Sequence, residues 1–121
     1  MKEIKLPESE LKVMNYIWDK GSATAKSVSE YMLQVYKWKK NTTYTVLGNL
    51  VNKGVLERRE PDFVCVPLIT REQVGEAETK SLLDKFYNGS VSVLFSAFLN
   101  NKKLSKKELV EIKEMIEKHR G

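Results

Sequence analysis

Residues 41–52, NTTYTVLGNLVN, carry side chains that exchange hydrogen bonds without bearing charge. At helical spacing Thr42, Thr45, Gly48, Asn49 and Asn52 share one face, opposite a stripe of Val46, Leu47, Leu50 and Val51. A solvated helix face ordinarily carries Glu and Lys, whereas this one is small, neutral and rich in hydroxyls and amides. Lys37, Lys39 and Lys40 precede it, and Arg58 and Arg59 follow. Hydroxyls and amides suit base edges in a groove, and flanking cations suit its phosphate walls. The chemistry on offer is therefore recognition of double-stranded DNA. Lys39, Lys40, Arg58 and Arg59 are the expected phosphate contacts; Asn41, Thr42, Tyr44, Thr45 and Asn49 are the expected base-facing residues. Charge agrees: residues 37–59 hold six Lys or Arg against one acidic residue, an excess equal to the +5 of the whole chain. Concentration of that excess on one element favours a polyanionic partner.

Residues that could do other chemistry are few. Cys65, between Val64 and Val66, reads as a small buried hydrophobe, and one cysteine permits no internal disulfide. His119 is the single histidine and lies where a cation suits the negative end of a helix. No Gly-rich phosphate loop and no Ser/His/Asp set occurs, and the carboxylates alternate with lysines as solvated helix pairs. No catalytic residue, metal or cofactor is expected. No apolar run approaches the length of a membrane span, and Met1-Lys2-Glu3-Ile4-Lys5 is not a signal peptide, so a cytoplasmic location without membrane contact is expected.

The elements that must position these residues follow from pattern. A first helix spans about 7–19, with Leu11, Met14, Ile17 and Trp18 on one face and Pro7 in its first turn. Thr24 caps a second helix that buries Val28, Tyr31, Met32 and Val35. Asn41 is placed to cap the third helix, and Gly54 to stop it in the left-handed conformation. A hairpin follows, with a tight turn at Glu60-Pro61-Asp62 and Phe63 as core between hairpin and third helix. Trp38 reads as packing beneath the third helix, while Tyr44 can either reach DNA or cover the apolar seam.

After Thr70 the strands stop. Residues 71–88 form a helix with Val74, Ala77, Leu82, Leu83 and Phe86 apolar, closed by Gly89. Residues 91–99 are apolar almost throughout. Ser105-Lys106-Lys107-Glu108 is a capping box, with Leu104 and Leu109 as its staple, opening a helix that buries Leu109, Ile112, Met115 and Ile116. About 50 residues in short helices cannot readily close a core alone. The expectation is a two-fold homodimer buried through Phe86, Val91, Leu94, Phe95, Phe98, Leu99, Leu109, Ile112 and Ile116, which would also pair two recognition helices on a palindromic operator.

Helix, glycine stop, V-L-E-R-R strand, turn and F-V-C-V-P strand resemble the recognition helix and wing of a winged helix-turn-helix. The wording is similar to the BlaI/MecI penicillinase repressors and their copper-responsive CopY relatives. The first-helix run Glu10-Leu11-Lys12-Val13-Met14-Asn15-Tyr16-Ile17-Trp18, the Ala23-Thr24-Ala25 step, Trp38, and residues 42–54 carry the resemblance, which extends through Pro67-Leu68 into the tail. It implies an α+β, mostly α fold: a winged-helix DNA-binding domain over 1–70 and a three-helix dimerisation domain over 71–121. It also implies a homodimeric transcriptional repressor.

The chain departs from that pattern in places. Asn49 stands where many relatives have Arg, Lys40 replaces a frequent Pro and Lys39 a frequent Ser, and the wing turn is about one residue shorter, with Pro61-Asp62 at its tip. Several family members are released by proteolysis at an Asn-Phe bond. The corresponding pair here is Ala97-Phe98, in which the Phe matches and the Asn does not, which counts against release by an inducer-linked protease. The terminal Lys118-His119-Arg120-Gly121 lacks the cysteine motifs of the copper branch. The rival function is a winged-helix protein-docking module without sequence-specific DNA binding. RNA binding lacks the paired aromatics that stack unpaired bases.

Overall fold

The computed structural model describes residues 5–120. Its elements run α1 (Glu8–Lys20), β1 (Ala23–Thr24), α2 (Ala25–Tyr36), α3 (Lys40–Asn52), β2 (Leu56–Arg59), β3 (Val64–Pro67), α4 (Arg71–Phe86), α5 (Val91–Asn100) and α6 (Lys106–Arg120). The three strands form one antiparallel sheet in the order β1-β3-β2. This is the expected mostly helical α+β architecture, with a winged helix-turn-helix followed by helices. The chain divides into two compact units, one ending at Glu78 and the other starting at Thr79, so the first half of α4 belongs with the winged helix.

The core of the first unit is built at the spacings of its helices. Val13, Met14 and Ile17 of α1, Val28 and Met32 of α2, and Leu47 and Leu50 of α3 are fully buried, and Leu56 and Cys65 close the sheet side. Thr24 caps α2 as expected, accepting from the Ser27 amide at 3.1 Å. The buried line of α2 is Ala25, Val28, Ser29 and Met32, spaced i, i+3, i+4, i+7. Tyr31 sits off that line and stacks on Tyr16 instead, at 4.4 Å between ring centres, and Val35 in the last turn is exposed. Lys37, left-handed at φ 62°, ends α2, with its amide donating to the Leu33 carbonyl at 3.1 Å. Lys37–Lys39 is thus the turn of the helix-turn-helix.

The start of α3 differs from expectation. Lys39, extended at φ −67° and ψ 151°, occupies the cap position, and its side chain makes no cap hydrogen bond. Asn41 is therefore already inside the helix rather than its cap. Gly54 stops the helix as expected, at φ 78°, where Val55 donates back to the Leu50 carbonyl at 3.0 Å. Thr43 joins the buried stripe, and its hydroxyl has no hydrogen-bond partner.

Polar contacts lock the scaffold at two places. Lys53, at the end of α3, reaches the carboxylate of Glu10 in α1 at 2.6 Å; Glu10 is buried and Lys53 half exposed. The Trp18 indole donates to the Ile69 carbonyl at 2.8 Å. Arg71, above that indole at 5.4 Å, pairs with Asp19 at 2.7 Å and donates to the Asn15 carbonyl at 3.2 Å. The first turn of α4 is thereby fastened to α1.

The second unit is differently made. α5 and α6 contain no buried residue. Ser90 caps α5, accepting from the Val93 amide at 3.2 Å, and Ser105 and Glu108 form the expected capping box, with the Glu108 amide donating to the Ser105 hydroxyl at 3.1 Å. Phe86, Val91, Phe95, Phe98 and Leu99 remain substantially exposed, as do Leu109, Met115 and Ile116 of α6. Sequence periodicity had these α6 positions buried; within one chain they have nothing to bury against. Phe95 and Leu99 with Leu104, Leu109, Ile112 and Ile116 line an open apolar groove of about 470 Å³.

Lys53→Ala should destabilise the protein by roughly 2 kcal/mol, because it strands the buried Glu10 carboxylate. Lys12→Ala, which breaks the surface pair with Glu8 and the contact of the ammonium with the Tyr36 ring at 4.7 Å, should cost about 1 kcal/mol or less. Urea unfolding of the two variants measures this, and equal losses would contradict the assignment. Burial pushes the Cys65 thiol from 9.0 up to about 11. Between those values the unfolded chain sheds the thiol proton and the folded chain keeps it, so this group's contribution to stability declines as pH rises through that window. Labelling of Cys65 by a thiol reagent at neutral pH should accordingly track global unfolding; rapid labelling of the folded protein would refute its burial.

Candidate nucleic-acid interface

The exposed surface of α3 is fixed by its buried one. With Thr43, Val46, Leu47 and Leu50 inward, Asn41, Thr42, Thr45, Asn49 and Asn52 are exposed. Gly48 lies among them, half exposed. A glycine inside a helix costs about 1 kcal/mol relative to alanine. Internal packing does not require it here, since an added Cβ would meet nothing within 4 Å. The effect of Gly48 is to keep the middle of the face flat for whatever approaches from outside.

Tyr44 is half buried. Its ring meets Phe63 edge-on at 5.9 Å between centres, and the Lys40 ammonium lies 5.6 Å from its own centre. Tyr44 thus ties the start of α3 to the wing. Phe63 follows the hairpin turn at φ 50°, packs against the core, and carries the Arg58 guanidinium at 3.8 Å over its ring. Trp38 is also half buried against the core, consistent with packing beneath α3, and tilts against Tyr36 at 6.1 Å.

Cations occupy both edges of this face, in unlike states. At the start of α3, Lys37, Lys39 and Lys40 are exposed, and among the described residues none of them pairs with a carboxylate. No acidic residue occurs from 31 to 56. The first-turn amides of α3 lack a side-chain acceptor from the cap and add the positive end of the helix dipole. In the wing, by contrast, Arg58 pairs with Glu60, and Arg59 with Glu57 at 2.5 Å. The expected site residues thus come together on α3 and the wing, and sequence reasoning missed the neutralisation of the two arginines. The run Glu57-Arg58-Arg59-Glu60 carries the signal, because each arginine stands two residues from a glutamate: Glu57 and Arg59 share one face of β2 by alternation, and Glu60 follows Arg58 into the turn.

Among the described residues no group of three or more His, Cys, Asp or Glu side chains could hold a metal ion, and no helix is long and apolar enough to cross a membrane. Comparison with known proteins agrees with the geometry. A profile described as penicillinase repressor matches residues 6–118. The penicillinase repressor of Bacillus licheniformis is 32% identical, covering 100% of this chain and 97% of its own length. The methicillin resistance regulatory protein MecI of Mammaliicoccus sciuri is 26% identical, with 97% of each chain covered. The solution structure of the DNA-binding domain of the repressor BlaI superposes with a TM-score of 0.55 at 28% identity, covering 60% of this chain and 90% of that domain. With a match over nearly its whole length and the winged helix that match requires, the chain belongs to the penicillinase repressor family.

Proposed function

We propose that the chain is a transcriptional repressor that binds operator DNA in the cytoplasm as a homodimer, without catalysis and without a cofactor. The observation that carries the DNA reading is the exposed α3 face, neutral and flattened by Gly48, beside lysines that no carboxylate neutralises among the described residues. Asn41, Thr42, Thr45 and Asn49 face base edges in the major groove, and Tyr44 braces the helix with its hydroxyl edge toward the same groove. Lys39 and Lys40 hold phosphates with the α3 amides; Arg58 and Arg59 hold them from the wing. Repression follows from occupancy, since a protein seated on a promoter excludes polymerase. The names of the relatives, penicillinase repressor and MecI, support this reading.

The homodimer reading rests on α5. A helix with no buried residue and with Val91, Phe98 and Leu99 between 41% and 53% exposed cannot face water at equilibrium. A second copy supplies the missing cover through Phe86, Val91, Leu94, Phe95, Phe98 and Leu99 of the first two C-terminal helices, with Leu109, Ile112 and Ile116 of α6. A two-fold arrangement buries one patch twice and presents two α3 helices to a palindrome. Ala97 and Phe98 lie within that patch, so no separate role in proteolytic release is assigned to them.

DNA selected by the protein from a random pool serves as its operator. Binding should weaken steeply with salt, corresponding to about four to eight phosphates neutralised per dimer. Lys40→Ala should weaken operator and random DNA alike, whereas Thr45→Ala or Asn49→Ala should lose about 1–3 kcal/mol more on the operator. Competition binding decides this, and a flat salt response would favour a protein-docking module. Phe98→Asp places a charge in the contact and should give monomers at micromolar concentration, with the winged helix still folded and operator affinity sharply reduced. Sedimentation that finds the variant dimeric, or the unaltered protein monomeric, would overturn the two-fold reading.

A further inference from the structure

We propose that Glu57 and Glu60 are affinity-setting residues, which compete with phosphates for the wing arginines and so weaken the sequence-independent part of DNA binding. The inference rests on the DNA-binding reading above and concerns how tightly that site grips DNA of any sequence.

The wing carries Arg58 and Arg59 against Glu57, Glu60 and Asp62, so it brings no net positive charge to the interface. Each arginine is engaged through its Nε, Arg59 by Glu57 of the same strand at 2.5 Å and Arg58 by Glu60 of the following turn. Arg58 is held a second way, by Phe63 beneath its guanidinium at 3.8 Å. A guanidinium keeps further N–H donors when Nε is occupied. A phosphate reaching those donors, however, also meets the paired carboxylate, whose like charge cancels most of the attraction.

The consequence for recognition lies in which binding term is reduced. Attraction to phosphates is the same for every sequence and makes up essentially all of non-specific affinity. Hydrogen bonds from α3 to base edges are made only on the operator. Neutralising the wing therefore subtracts about equally from both affinities and leaves the base-dependent difference, and with it the operator-to-random ratio, intact. Both pairs are about half exposed, so they can open when phosphates arrive. Arg58 and Arg59 then contribute less to phosphate anchoring than Lys39 and Lys40, at the α3 end of the interface.

The test is a double-mutant cycle in the full-length protein, with operator selected from a random pool and a scrambled duplex as probes. Glu57→Gln with Glu60→Gln should strengthen operator and scrambled-duplex binding alike, about tenfold at moderate salt, steepen the salt dependence of both, and leave the operator-to-scrambled ratio within about twofold. In a background of Arg58→Gln with Arg59→Gln, the same two glutamate changes should alter scrambled-duplex affinity less than about twofold, because no arginine remains to be released. Equal strengthening in both backgrounds would show that only overall charge matters and would overturn the proposal. So would unchanged affinity for both duplexes in the arginine-containing protein while the unaltered chain still binds its operator in a salt-dependent way. Failure of the unaltered chain to bind any duplex at low salt would instead overturn the DNA-binding reading itself.

Discussion

The outward face of α3 depends on how firmly its inward face is held. Leu47 and Leu50 are fully buried, and Lys53, one turn beyond, is drawn to the buried carboxylate of Glu10 on α1. Apolar packing is non-directional and by itself tolerates rotation of a helix about its axis. The ion pair is directional and ends on one atom, so it sets the rotation that the stripe leaves loose. Everything said of Thr42, Thr45, Gly48 and Asn49 as a reading surface presupposes that setting. A rotation of α3 by one residue would turn the unpartnered hydroxyl of Thr43 outward and carry Thr42 away from the groove.

Around that helix the protein distributes charge unevenly, and the distribution separates positioning from reading. Lysines at the α3 start are exposed and unpaired by acids, and they lie beside the positive end of the helix dipole. Both arginines in the wing are paired, Arg58 is also stacked on Phe63, and with their carboxylates they are close to neutral as a group. The two edges of the interface thus contribute in different ways, one by pulling freely on any phosphate and the other only against its own carboxylates.

Much of this was legible in the sequence. The α3 stripe, the Gly54 stop, the hairpin, the Thr24 cap and the Ser105–Glu108 box are local, and local patterns survive translation into structure because each is closed within a few residues. The Glu10–Lys53 contact joins residues 43 apart and leaves no local trace. Strand β1 has only two residues, too few to show an alternation, and it exists because Ala23 and Thr24 pair with Cys65 and Val64. The end of α2 was hidden because Lys37 takes a left-handed conformation that usually announces itself with glycine. Asn41 looked like a cap on residue type alone; Lys39 holds that position because the turn from α2 closes two residues sooner.

The division of the chain at Glu78 has a bearing on synthesis. Every strand of the sheet and all three helices of the winged-helix core lie before that point, so the first unit has its full set of partners while the rest is still being made. The apolar α5 leaves the ribosome only afterwards. Its exposed phenylalanines therefore never compete with Leu47 or Leu50 for the nascent core. The sticky segment emerges attached to a finished, charged body, beside other copies being translated from the same message.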